Sequence, residues 1–158
     1  MELEGTQELN ADPQTVWAAL FDRDVLERAI PGCETLEQTS ETEFAATVKL
    51  KVGPVSARFM GGVELSDIVP LVSCILSGKG SGGIAGFARG AARVALEQDG
   101  EMTRLTYTAE AAVGGKLASL GNRLIKSTAQ KLAGEFFANF QKILAERTEP
   151  VLAPEPAE

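Results

Sequence analysis

Between Glu34 and Val113 the chain alternates apolar and polar positions with a period of two, and only towards its two ends does the period lengthen to three or four. Alternation places successive side chains on opposite faces of a strand, whereas the longer period draws one stripe along a helix. Residues 2–9 alternate weakly and read as an opening strand. Asn10-Ala11-Asp12-Pro13 then stops it and starts a helix, with Asp12 suited to the N-cap, Pro13 to the first turn, and Val16, Trp17, Leu20 and Phe21 as the apolar face. A second short helix is expected over residues 24–29, capped by Asp24 and closed off by Pro31-Gly32.

Six strands are expected next, at residues 34–39, 43–52, 55–68, 72–80, 84–98 and 103–113, with Gly53-Pro54 and Asp99-Gly100 as turn signals. Links this short join strands into an antiparallel meander. Phe44, Ala46, Val48, Leu50 and Val52 share one face, opposite Lys49 and Lys51, and Val55, Ala57, Phe59, Gly61, Val63 and Leu65 share another, opposite Arg58 and Glu64. The last strand turns Leu105, Tyr107, Ala109, Ala111 and Val113 inward. In the strand before it, Ile84, Gly86, Ala88, Gly90, Ala92, Val94 and Leu96 face in when Arg89 and Arg93 face out, which leaves Phe87 outside.

The last element is the one the others must cover. After Gly114-Gly115, the residues Leu117, Leu120, Leu124, Leu132, Phe136, Phe140, Ile143 and Leu144 predict a helix over residues 116–147. At about 1.5 Å per residue it would span roughly 48 Å. The order strand, two short helices, six strands and a long helix gives an α+β fold, a sheet wrapped against the C-terminal helix. Its inner face is rich in Ala and Gly. Small residues either let the helix pack closely, at the usual density of about 0.74, or leave an apolar cavity of ligand size, about 300–1,000 Å³. The residues alone leave both open.

The length of 158 residues and a hydrophobic content of 44% suit one domain with a real core, taken as residues 1–147. Residues 148–158 carry three prolines and three glutamates without periodicity and read as a disordered acidic tail. Met1-Glu-Leu-Glu-Gly5 has neither a basic n-region nor an apolar run, and nowhere do about 18 apolar residues follow in succession, so neither export nor a membrane span is expected. Two cysteines, Cys33 and Cys74, in no Cys-x-x-Cys arrangement, suit a reducing cytoplasm. Net charge is −7, but unevenly spread: eleven acids against Arg23 and Arg28 precede Lys49, while residues 111–134 hold no acid and four cations. A helix face with Lys116, Arg123 and Lys126 can dock at an anionic membrane or an acidic partner, or simply be solvated. Nucleic acid is disfavoured, because no basic stripe with interleaved aromatics exists.

Candidate chemistry is thin. Histidine is absent, which removes the commonest general base and metal ligand. Gly78-Lys-Gly80-Ser-Gly-Gly83 matches a dinucleotide fingerprint, yet a strand rather than a helix follows it, so the glycines serve to bend the sheet. Gly115-Lys116 lacks the hydroxyl residue of a phosphate loop, since Leu117 comes next. Cys33 has no activating base, and although Asp22 and Asp24 could be paired carboxylates, helix capping explains Asp24 more simply. No catalytic or metal residue is assigned, and no tightly bound cofactor is expected.

The runs Val16 to Asp22, Ile30-Pro31-Gly32-Cys33-Glu34, Val52-Gly53-Pro54-Val55, Phe59 to Gly62, Gly80 to Gly90 and Val113 to Gly121 resemble, in this order, the family of the carbon monoxide dehydrogenase G subunit. The resemblance covers residues 1–144 and implies the helix-grip fold of START and birch-pollen-allergen-like domains, in which a curved sheet grips a long helix over a cavity. It further implies an accessory protein of molybdenum-containing CO dehydrogenases, membrane recruitment at the inner face of the cytoplasmic membrane, and an apolar ligand such as a lipid or respiratory quinone. Arg23 and Cys74 depart from the family's usual proline and aromatic. Inward parity and the helical stripe nominate Trp17, Phe44, Phe59, Leu76, Tyr107, Leu117, Leu120, Leu124 and Phe136 as cavity lining. Lys116, Arg123 and Lys126 are nominated for membrane or partner contact. A cyclase or hydrolase with polar groups around Tyr107, and an interaction protein with a filled core, are the alternatives.

Overall fold

The computed structural model describes residues 1–148. The expected tail therefore lies outside the described residues, apart from Thr148, which ends the last helix. Seven strands, β1 (Glu2–Leu9), β2 (Cys33–Gln38), β3 (Glu43–Val52), β4 (Val55–Val69), β5 (Ser73–Ser81), β6 (Phe87–Asp99) and β7 (Met102–Gly114), form one antiparallel sheet. Its order is β1-β7-β6-β5-β4-β3-β2, a meander to which β1 returns beside β7. Helices α1 (Pro13–Leu20) and α2 (Arg23–Ala29) follow β1, and α3 (Asn122–Thr148) closes the chain. This is the helix-grip arrangement.

Local chemistry sets the helix starts. The Asp12 carboxylate accepts the Thr15 amide at 2.8 Å, with Pro13 behind it, so α1 begins where a missing amide donor costs nothing. The cap of α2 is Asp22 rather than Asp24: its carboxylate accepts the amides of Asp24 at 2.8 Å and Val25 at 3.3 Å. Asp24 sits in the first turn and pairs with Arg23 instead.

Glycines at the other end shorten the predicted long helix. Residues 115–120 form a 3₁₀ turn (Gly115–Leu120), and Gly121, at φ 93°, separates it from α3, whose 27 residues span about 40 Å. Leu117 and Leu120 thus lie on a turn, outside the helical stripe. A second 3₁₀ turn (Gly83–Ala85) replaces the expected start of β6 and points Ile84 outward, 92% exposed, where parity had placed it inside. From Ala88 to Leu96 the parity is as expected, with Phe87 on the outer face.

The buried apolar residues divide along α3. Its C-terminal half buries Phe137, Phe140, Ile143 and Leu144 against Leu9, Val16, Leu20, Val25 and Leu105. A neighbouring cluster of Leu26, Leu36, Phe44, Leu65 and Cys74 extends this core under α2. At the opposite end, Ile125 and Leu117 pack with Val52, Val55, Phe59 and Ala85.

Candidate ligand-binding cavity

Register across the sheet decides what lies between these two ends. On the helix-facing side, Ala46, Gly61, Gly80, Ala88 and Val113 stand side by side in one row, and Phe44, Val63, Gly78, Gly90 and Ala111 in the next. Seven of these ten residues are Gly or Ala, so almost no side-chain volume rises from the middle of the sheet. Opposite, α3 presents Ile125, Thr128, Ala129 and Leu132, a helical face whose two central members are small. A cavity of about 410 Å³ remains, bounded also by Ile30, Pro31, Leu50, Val52, Phe59 and Leu117. That volume falls in the range of small-molecule sites.

The lining is apolar apart from Thr128 and three boundary residues, Met1, whose terminal ammonium donates to the Ala111 carbonyl at 3.2 Å, Lys79 and Arg89. Lys79 and Arg89 reach the boundary only from exposed positions of outward parity on β5 and β6. A wider trough of about 680 Å³ lies on the other face of the same strands, among Glu43, Glu64, Lys79, Arg89 and Glu110, and at Gly62, Gly78 and Gly90 only backbone separates the two. Charges of both signs line that trough from exposed positions, and the apolar helix side is the candidate site.

The wall formed by α3 is held unevenly. Towards its C-terminus, Asn139 donates to the Ala29 carbonyl at 3.1 Å, and Gln141 donates to the Glu8 carbonyl and accepts the Asn10 amide, both at 3.0 Å. Glu146 accepts both its bonds from Arg28, at 3.0 and 2.9 Å, and Arg147 donates to Asp22 at 2.8 Å. Burial acts to raise the Asp22 carboxyl, but the Arg147 guanidinium and the capped amides hold it below the usual carboxylate value. Among the described residues, no comparable side-chain bond ties the half of α3 over the cavity; apolar contacts alone hold it.

The residues nominated from sequence divide accordingly. Phe59 and Leu117 stand in the lining. Leu120 packs on the Val52–Val55 cluster, and Leu124 covers the Gly53 turn. Trp17, Leu76, Tyr107 and Phe136 pack against the solid core instead: Trp17 lies 5.0 Å from Phe21, Tyr107 5.4 Å from Phe137, and Phe136 5.7 Å from Phe140, centroid to centroid. Phe44 belongs to the row beside the cavity, yet its ring is buried with Leu26, Leu36 and Leu65. Choosing large inward residues finds the filled part of a grip; the open part is marked by small ones, and the Ala and Gly of inward parity were the available signal. Thr128, Ala129 and Ile125 carried none.

Other candidate chemistry disperses. Desolvation by burial raises both thiols above their ordinary value, which disfavours the nucleophilic thiolate at Cys33 and Cys74. Lys116, Arg123 and Lys126 are all exposed and in no ion pair among the described residues. Ile84 and the half-exposed Phe87 flank Gly86, which sits against Gly115 beside Lys116. The described residues hold no group of metal-binding side chains and no helix long and apolar enough to cross a membrane.

Residues 5–145 match the family of the carbon monoxide dehydrogenase G subunit, CoxG. The chain belongs to the CoxG family. A solved relative, a conserved protein from Geobacillus kaustophilus, shares 33% identity with this CoxG chain over 92% of its length and 96% of the relative's own, with a TM-score of 0.87. Fold alone links the CoxG chain to the Zhui aromatase/cyclase from Streptomyces sp. R1128, at 16% identity over 97% of this chain and 96% of that one, TM-score 0.66. The same holds for Ara h 8.0201, at 13% identity over 92% and 98%, TM-score 0.65. No curated protein matches the sequence.

Proposed function

We propose that this CoxG-family chain is a non-catalytic carrier. It holds a neutral apolar or amphiphilic molecule, a lipid or quinone, in the cavity under α3 and exchanges it at the inner face of the cytoplasmic membrane for a CO dehydrogenase-type molybdenum enzyme. The observation that carries this reading is the apolar 410 Å³ cavity floored by two aligned rows of small residues. An unfilled apolar space is costly to maintain in a protein interior, and a bound apolar molecule offsets that cost. Among the described residues the lining offers no carboxylate, thiol or imidazole to move a proton, which favours carriage over a cyclase or hydrolase reaction. The family name supports the enzyme partner. Membrane exchange draws support from the exposed Ile84 and Phe87 close to Lys116, an apolar tip beside a cation. The half of α3 held only by apolar contacts is the wall that yields for entry.

Native mass spectrometry of the chain purified from a quinone-producing host, beside denaturing extraction, tests the reading. One apolar molecule per chain is the expected result. A chain that carries nothing and binds no added quinone or lipid is not a carrier.

A further inference from the structure

The cavity has one side-chain hydroxyl on its helical wall, and among the described residues that hydroxyl has no partner. A threonine inside a helix commonly turns its hydroxyl back to a carbonyl three or four residues earlier. Ser127 does this, donating to the Leu124 carbonyl at 3.2 Å. Its neighbour Thr128 faces the cavity, is only partly exposed, and makes no side-chain hydrogen bond among the described residues. The groups beside it, Ile125, Ala129 and Leu132 on α3 and the Gly and Ala rows opposite, offer no side-chain partner. A polar group facing an apolar space costs free energy unless something pairs with it. Valine has the same shape and would line this wall without that cost.

We propose that Thr128 is the polar anchor of the cavity, selecting ligands that carry a hydrogen-bond-accepting oxygen on an apolar body over pure hydrocarbons. This rests on the carrier reading and adds the chemical class of the cargo. Thr128 donates its hydroxyl proton to a carbonyl or ether oxygen of the ligand, while the apolar walls take up the rest. Volume narrows the class further. At about 30 Å³ per water-sized group, 410 Å³ holds about 14 carbon-sized groups. That accommodates a bicyclic head group, so a long tail attached to one lies outside the cavity.

The test is a matched pair of displacers, 2-methyl-1,4-naphthoquinone and 2-methylnaphthalene, which share a carbon skeleton and differ in two carbonyls. Each displaces the fluorescent apolar probe N-phenyl-1-naphthylamine from the full chain, from Thr128→Val and from Thr128→Ser. The expected result is that Thr128→Val weakens the quinone by about three- to tenfold relative to the hydrocarbon, the worth of one net hydrogen bond, while Thr128→Ser keeps the wild-type ratio. An unchanged ratio in Thr128→Val, with a melting temperature showing the variant folded, overturns the anchor and leaves the carrier standing. Failure of the probe and of both displacers to bind the wild-type chain overturns the carrier reading and the anchor with it.

Discussion

Filling the cavity from its floor separates an empty interior from a packed one. Gly78 is the position to use: it lies on the helix-facing side of β5, and a Cβ built there meets nothing closer than the Gly62 carbonyl oxygen at 3.7 Å, an ordinary contact. Gly78→Val relieves the entropic cost of a strand glycine, about 0.5–1 kcal/mol. It adds three carbons worth up to about 0.8 kcal/mol each if fully buried. Since the space is partly open, about 1–2 kcal/mol of net stabilisation is expected for the ligand-free chain, a rise in Tm of about 2–8 °C. The ligand is displaced from the same volume and loses up to about 2.4 kcal/mol of burial, so its affinity falls by as much as about 50-fold. Thermal unfolding of delipidated protein and titration with the fluorescent probe read the two effects separately. A more stable variant with weaker binding is the signature of a cavity. A variant that loses stability and binds as before would refute the reasoning, because Gly78 would then face packed structure away from the site.

Gly61, one strand away in the adjoining row, is expected to behave in the opposite way. A Cβ there would stand 1.8 Å from the Lys79 carbonyl oxygen, so Gly61→Ala forces β4 and β5 apart and costs about 1–3 kcal/mol, read as a lower urea midpoint. Asp22→Ala removes the cap of α2 and the partner of Arg147, costing about 0.5–2 kcal/mol at neutral pH. Because the folded Asp22 carboxyl is held below its ordinary value of 3.8, its contribution is complete above pH 3.8 and is lost as pH falls through the folded value. Urea midpoints of wild type and variant should therefore converge under acid; a constant gap would rule out the ionised carboxylate as the source. For membrane contact, the triple variant Lys116→Glu, Arg123→Glu, Lys126→Glu should lose flotation with anionic vesicles while neutral vesicles show no difference. Equal flotation of both proteins would remove these cations from the interface.

Sequence alone determined the local half of this protein. Alternation placed the strands, Asp12-Pro13 started α1, and inward parity was right from Ala88 to Leu96, because each depends on residues adjacent in the chain. The family resemblance, carried by ordered motifs, indicated the helix-grip fold that the structure has. That resemblance also implied a cavity, but in the residues themselves its position showed only as an excess of Ala and Gly. Whether those residues would be scattered or aligned depends on the register of five strands, and register is a pairing between segments tens of residues apart. Periodicity likewise carried the last helix back to Lys116. Tertiary structure decided otherwise, since Gly115 and Gly121 adopt positive φ and fold residues 115–120 into a separate turn against the one at Gly83–Ala85. The same two facts decided where the open apolar space lies. Large inward residues such as Trp17, Tyr107 and Phe136 gathered into solid packing at the C-terminal half of α3, where mutual burial is most favourable. The space was left over the small ones, beneath Thr128 and Ala129.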